Sequence, residues 1–451
     1  MTARWGLALV AAAAGCGGVT GTVSLELVTA PGADVLDDVV VARLTLSSPP
    51  TVIEAQRGTD GRFRLELDVP ADGPAGRLTF EGFAAGGERI AIGRSAALPI
   101  AAYDAEIAIY VARPDTLAAA PVALEPARDQ LGVATYGFGV LVVGGRAADG
   151  AAVDDVQIYN VYTHAWQVGV PLPAPRARPI VGGSASGYAY VLGGDGPDGA
   201  ATGTLWRYDT TAAPAGAVLP LVEQPALARA GEPIAIVRSE AFVVGGTPPV
   251  VIDGFTRSLT AAGELPSLAG GAATAVVRTA ETEEVFAVFV GAGTGASGLV
   301  RLASDGVLDE AGAPASARRT GHAVVALGDE RILAIGGAVD GTLVADAVVA
   351  SPGPRLYLTQ PDVLATPRIG AAVAVAGGLV VVAGGTDGAG AVVGTAEVFD
   401  AATLAPRAVV PMVVPRTGAV ARPLDSGQVL IVGGRDALGA PVATVELFTP
   451  G

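Results

Sequence analysis

Lysine is missing from this chain: all 28 basic residues are arginine. The glycine-rich runs from Gly193 (GGDGPDG) and Gly384 (GGTDGAG) therefore cannot be phosphate-cradling loops of the kind that needs a lysine and a following helix, and they read as turns between strands. Cysteine occurs once, at Cys16, which excludes an intrachain disulfide and a thiolate metal cluster. With two histidines, His164 and His322, a three-nitrogen zinc site is excluded too, so no metal and no other cofactor is expected. No Gly-x-Ser-x-Gly stands where it would expose a serine nucleophile. Long helical periodicity is also missing. The most apolar stretch, 369–383, is interrupted by Gly377 and Gly378 and reads as a hairpin, not a membrane span. Positive charge is in deficit: the net charge is −16, spread along the chain, which argues against nucleic acid or an acidic membrane surface as partner.

What is present is glycine (63) and proline (32) in a chain that is 51% apolar, a composition suited to many short strands and turns. Apolar runs end in glycine doublets that begin at Gly144, Gly193, Gly245, Gly336, Gly384 and Gly433. The period is roughly 50 residues, and the one double-length gap holds a degenerate copy with Gly291 and Gly293, making a seventh unit. An arginine lies 16 or 17 residues before each full doublet: Arg128, Arg176, Arg229, Arg319, Arg368 and Arg416. A third phased feature follows the doublets, as VQIYN from Val156, TLWRYD from Thr204, AEVFD from Ala396 and VELF from Val445.

These three features resemble the kelch repeat, and Tyr159-Asn160 followed by His164-Ala165-Trp166 is its fullest copy. The resemblance implies an all-β fold with a seven-bladed kelch-like β-propeller over residues 114–451. A strand near 115–125 is expected to complete the last blade, whose own unit supplies three strands. The resemblance also places both histidines at ordinary repeat positions. It removes the copper oxidases of this fold from consideration, since they need a tyrosine–cysteine crosslink and the propeller has no cysteine.

Residues 1–16 (MTARWGLALVAAAAGC) place Arg4 ahead of a short apolar stretch that ends in Gly15-Cys16. That layout is a secretory signal, and its end resembles the bacterial lipoprotein box. The resemblance implies cleavage before Cys16, lipidation of Cys16, and a membrane anchor in the cell envelope, in the outer membrane of a Gram-negative bacterium. Between anchor and propeller, residues 17–113 carry seven short alternating runs, beginning at Thr22, Val39, Thr51, Arg62, Arg77, Arg89 and Ala105. These predict a small immunoglobulin-like β-sandwich that serves as a spacer.

The phased arginines are the one repeated charge. Set near the mouth of the propeller channel, Arg128, Arg176, Arg229, Arg319, Arg368 and Arg416 are read as a partial ring that captures an acidic sugar or peptide. The alternative is that they stitch blades together through carbonyls or carboxylates. Asp195, Asp198, Asp387 and Asp436 suggest calcium, although Asp-Gly turns account for most of them. The functional expectation is a monomeric, surface-anchored lipoprotein whose propeller is a non-catalytic scaffold for a protein or an acidic glycan, and not an enzyme. The alternative is an envelope enzyme resembling the kelch-fold sialic acid mutarotases, which use arginine and acidic groups without a metal. A structural component of an envelope assembly is the third class.

Overall fold

The structure, a computed structural model, describes residues 4–8, 23–48, 50–58, 76–97, 105–137, 139–184, 186–238, 240–261, 271–278, 283–290, 298–303, 306–307, 318–328, 330–351 and 356–451. Cys16, the run from Arg62, and the pair Gly291 and Gly293 lie outside them. Among the described residues the chain is all-β apart from one 3₁₀ turn, Pro225–Leu227.

The N-terminal strands are β1 (Arg4–Ala8), β2 (Val23–Val28), β3 (Val41–Ser47), β4 (Pro50–Gln56), β5 (Leu78–Phe83), β6 (Arg89–Arg94) and β7 (Ala105–Ala112). Hydrogen bonds join them into one sheet, in the order β1-β2-β7-β6-β5-β3-β4, with β2 and β7 parallel. The expectation of two separate layers thus meets a single curled sheet, in which β7 belongs to both wings. The wings still face each other across one core: Leu25, Leu27, Ile107 and Ile109 pack with Ala42, Leu44, Leu46 and Phe80. Strict alternation in β3 sends Ala42, Leu44 and Leu46 inward, as a half-buried strand requires. β1 falls within the stretch read as a cleaved signal, and here it pairs antiparallel with β2 along the sheet edge.

Strand β7 explains why this domain does not stand apart as a spacer. Its odd residues Ile107, Ile109 and Val111 fill the N-terminal core. Its even residues Ala108, Tyr110 and Ala112 join a second core with Val133, Val140 and Tyr159 and with Leu430, Val432 and Leu447 from the far end of the chain. Both faces of β7 are buried, so AIYVA reads as a continuous apolar run.

Strand β8 (Thr116–Ala119) follows directly. Among the described residues, seven four-stranded antiparallel sheets then form the propeller. Blades 1 to 6 run in chain order from Gly132–Tyr136 to Pro406–Pro411. Blade 7 consists of Val420–Pro423, Val429–Val432, Glu446–Thr449 and, outermost, β8, which pairs antiparallel with Glu446–Thr449. The innermost strands neighbour one another all round the ring, with Val420–Pro423 of blade 7 beside Gly132–Tyr136 of blade 1.

An antiparallel four-stranded blade has two ends. The first and third turns lie at one end, and the second turn and the crossing to the next blade lie at the other. The N-terminal domain engages the first end. Arg77 pairs with Asp425 in the first turn of blade 7 (3.1 Å), and Tyr162 in the third turn of blade 1 donates to Ala97 O (2.8 Å). The mouth of the channel at the other end carries none of these contacts and is called the open mouth below.

His164 is buried in the same junction. Its Nε2 accepts from the Tyr110 N–H (3.3 Å) and its Nδ1 lies 2.9 Å from the Tyr159 hydroxyl, an arrangement that suits the neutral ring. Burial pushes His164 down to about 3. The unfolded chain therefore takes up a proton below about pH 6.5 that the fold refuses until about pH 3. The contribution is complete above pH 6.5 and fades as the pH falls, at up to about 1.4 kcal/mol per pH unit. Between pH 6.5 and 4.5, wild type should lose about 2–3 kcal/mol more than His164→Gln in urea unfolding. Equal losses would show that His164 titrates normally in the folded protein.

Candidate functional site

The six phased arginines lie in the crossings between blades, and each side chain turns back into its own blade. Arg128 Nε donates to Gly144 O (2.9 Å), Arg229 Nη1 to Gly245 O (2.6 Å), Arg319 Nη1 to Gly336 O (3.0 Å), Arg368 Nη1 to Gly384 O (3.2 Å) and Arg416 Nη1 to Gly433 O (3.2 Å). The constant spacing is the chain length from the crossing to the end of the second strand. The arginine main chains face the preceding blade: the carbonyls of Arg176, Arg229, Arg368 and Arg416 accept from the N–H groups of Gly145, Gly194, Gly337 and Gly385 at 2.8–2.9 Å. A Cβ on Gly144, Gly193 or Gly384 would lie 2.2–2.3 Å from the arginine carbonyl, which is why those three doublets open with glycine.

Acceptors on the third strand complete the arrangement. Glu446 accepts from Arg416 Nη2 (2.6 Å) and from the Val413 and Val414 N–H groups (2.8 and 3.1 Å). Glu397 repeats this with Arg368, Ala365 and Thr366. Asp346 serves Arg319 (3.1 Å) and Gln157 serves Arg128 (2.9 Å). Arg176 lies over the Trp206 ring, 4.7 Å from its centroid. All six arginines are buried, and desolvation lowers each of them, Arg128 to about 10. The ligand-binding ring expected from Arg128, Arg176, Arg229, Arg319, Arg368 and Arg416 is therefore corrected. These guanidinium groups are enclosed, and most of their donors are taken up within the blades, Arg128 Nη2 and Arg176 Nε being buried without an acceptor.

A different set of side chains surrounds the open mouth. Two residues after each phased arginine, a backbone rung joins neighbouring blades: Arg178 N to Gln130 O (2.9 Å), Gly231 N to Arg178 O (2.8 Å), Gly370 N to Gly321 O (2.8 Å) and Gly418 N to Gly370 O (2.9 Å). All of these residues have left-handed φ, between 49° and 68°. Glycine occupies the rung in blades 3, 5, 6 and 7, where it costs nothing. Blades 1 and 2 place Gln130 and Arg178 there, against a steric cost of roughly 1–2 kcal/mol each.

Around these two runs a chain of charges. Arg178 forks onto Asp195 (2.7 and 2.9 Å), Arg146 reaches Asp195 at 3.9 Å and Gln130 at 3.0 Å, and Arg435 of blade 7 forks onto Asp129 of blade 1. The carboxylates are enclosed, whereas the arginine side chains stay open to solvent: 49% for Arg178, 38% for Arg435 and 26% for Arg146. The hydrogen bonds that Arg178 and Arg435 donate to Asp195 and Asp129 raise both guanidinium groups and keep them charged. Arg146, Asp195 and Arg435 directly follow their doublets, a position that gave no sequence signal; the departure from glycine at residues 130 and 178 would have.

The loop aspartates close turns. Asp387 Oδ1 accepts from the Ala389 and Ala391 N–H groups, Asp436 Oδ1 from Leu438 and Ala440, and Asp198 Oδ1 from Ala200, all at 2.9–3.0 Å. Among the described residues, no group of three or more histidine, cysteine, aspartate or glutamate side chains could hold a metal ion.

Comparison with known proteins agrees with this geometry. The kelch motif family matches residues 367–403, which carry Arg368, the doublet Gly384-Gly385 and Glu397 of blade 6. No curated protein sequence matches the chain. Among the solved structures that do match is one entitled "Structure of YjhT", at 13% identity and a TM-score of 0.48, covering 72% of this chain and 96% of that one. A likeness at that level transfers no residue role. The protein is an all-β propeller with a smaller β domain at its N-terminal side, and one of its blades matches the kelch motif. The expectation that it is not an enzyme is withdrawn: a propeller fold by itself excludes no catalysis.

Proposed function

We propose that this is a lipid-anchored protein of the bacterial cell envelope, held through Cys16, whose open mouth captures the acidic groups of a glycan or protein partner. The support for capture is Gln130 and Arg178. At a rung where four other blades use glycine, these two keep a side chain in a strained conformation and aim it at the mouth, beside Arg146 and Arg435. Strain of this kind is retained where function uses it. An arginine fork already oriented by an enclosed carboxylate presents its remaining donors at low entropic cost.

The test is Arg178→Gly with Gln130→Gly. Both changes relieve left-handed strain, worth roughly 1–2 kcal/mol each, which offsets the loss of the Arg178 fork on the enclosed Asp195, so the variant should stay folded with stability within about 2 kcal/mol of wild type. Binding to sulfated or uronic-acid glycan arrays and to acidic peptides should fall at least tenfold, with an anomerase assay on the same sugars reading out any chemistry. Unchanged binding by the glycine variants would sink the reading of the mouth. For the anchor, membrane fractionation of Cys16→Ser should move the protein to the soluble fraction.

A further inference from the structure

One position in the innermost strands breaks the repeat. Six residues after the phased arginine, the other described blades carry Ala134, Gly182, Ala235, Val325 and Ala374, and blade 7 carries Arg422. The reason for small residues is visible at two of them: a Cβ on Gly182 would strike Phe242 and Ile234 of the next blade, and Ala134 packs in the core between blades 1 and 2. Blade 7 instead sends a guanidinium across the seam to blade 1. Arg422 Nη2 donates to Val133 O (2.8 Å) and Nη1 to Ala421 O (3.0 Å). Those two carbonyls are its only bonded partners, and among the described residues no carboxylate pairs with it. The remaining N–H donors have no protein acceptor, although the side chain is only partly exposed. Desolvation alone acts on the group and lowers it to about 10.

A second unused polar group lies on the same seam. Val133 packs toward blade 7, and by strand alternation Thr135, two residues on, faces the same side. Thr135 is exposed and its hydroxyl bonds no protein group. The seam therefore joins a half-desolvated cation without a counter-ion to a free hydroxyl, beside the channel of a protein whose net charge is −16. A buried charge without a partner is costly, and a planar two-oxygen anion is what a guanidinium fork and a hydroxyl match.

We infer that Arg422 and Thr135 form a binding site for a small organic carboxylate at the blade 7–blade 1 seam of the channel, distinct from the open mouth. The test is the melting temperature of the full chain titrated with sodium acetate and sodium glucuronate against sodium chloride at constant ionic strength. Wild type should show a saturable rise with the carboxylates. The apparent affinity should fall at least tenfold in Arg422→Gln and several-fold in Thr135→Val. Thr135 is exposed, so its variant keeps the test decisive even where Arg422→Gln does not fold. No saturable rise in wild type, or an equal rise in folded Thr135→Val, overturns the site. A rise with sodium sulfate and none with carboxylates overturns the ligand class. The Arg178→Gly and Gln130→Gly variants should keep the full carboxylate effect, which separates this site from the mouth.

Discussion

Arg416→Met should lower the free energy of unfolding by about 3–5 kcal/mol, read from urea denaturation. The change removes one partner of a pair that is fully enclosed on both sides, and it leaves Glu446 with only the Val413 and Val414 N–H groups. Glu446→Ala should cost at least as much, since it orphans those two N–H groups and leaves the buried Arg416 charge without its carboxylate, with only carbonyl acceptors. Arg407→Ala, by contrast, breaks a surface pair with Asp400 and should move stability by about 1 kcal/mol or less. If Arg416→Met melted like Arg407→Ala, the buried pair would be no strut.

Tyr110→Ala should have a comparable effect and spread it over both domains. The ring is fully buried, its hydroxyl donates to Ala119 O (2.8 Å) and its N–H is held by His164. Truncating a buried aromatic costs about 3–5 kcal/mol. Because Ala108, Tyr110 and Ala112 share a core with blades 1 and 7, calorimetry of wild type should give one transition. In the variant, the N-terminal domain should melt or be clipped first. Two separate wild-type transitions would mean that the domains are not coupled through β7.

The repeat was legible because it is a spacing. Doublets, arginines and third-strand segments with an aromatic residue near their end recur because one hydrogen-bond pattern recurs, and Arg416, Gly433 and Glu446 are three corners of it. Their burial was not legible. An arginine repeated in six blades looks the same in sequence whether it lines a pore or braces a crossing; at Arg368 and Arg416 the choice is made by the Glu397 and Glu446 side chains folding onto them. The open mouth and the blade 7–blade 1 seam were both written in exceptions to the pattern: Gln130 and Arg178 stand where glycine belongs, and Arg422 stands where the other described blades carry small residues. A search for what repeats passes over them. In the N-terminal domain, alternation located the strands, but the single sheet depended on the parallel pairing of β2 with β7, which alternation cannot express.

The pairing of β8 with Glu446–Thr449 also sets an order of assembly. Asp115 and Gly451, hydrogen-bonded at 2.9 Å, are 336 residues apart in the chain. Blades 1 to 6 can each form from contiguous sequence, but blade 7 must wait for strands from both sides of the other six. Joining such distant segments carries the largest loop-closure entropy in the molecule and makes ring closure the slow, late step of folding. Until then β8 and the seam faces of blades 1 and 7 stay uncovered, so the nascent propeller is most vulnerable to misassociation at the seam that later holds Arg435 to Asp129 and Arg422 to Val133.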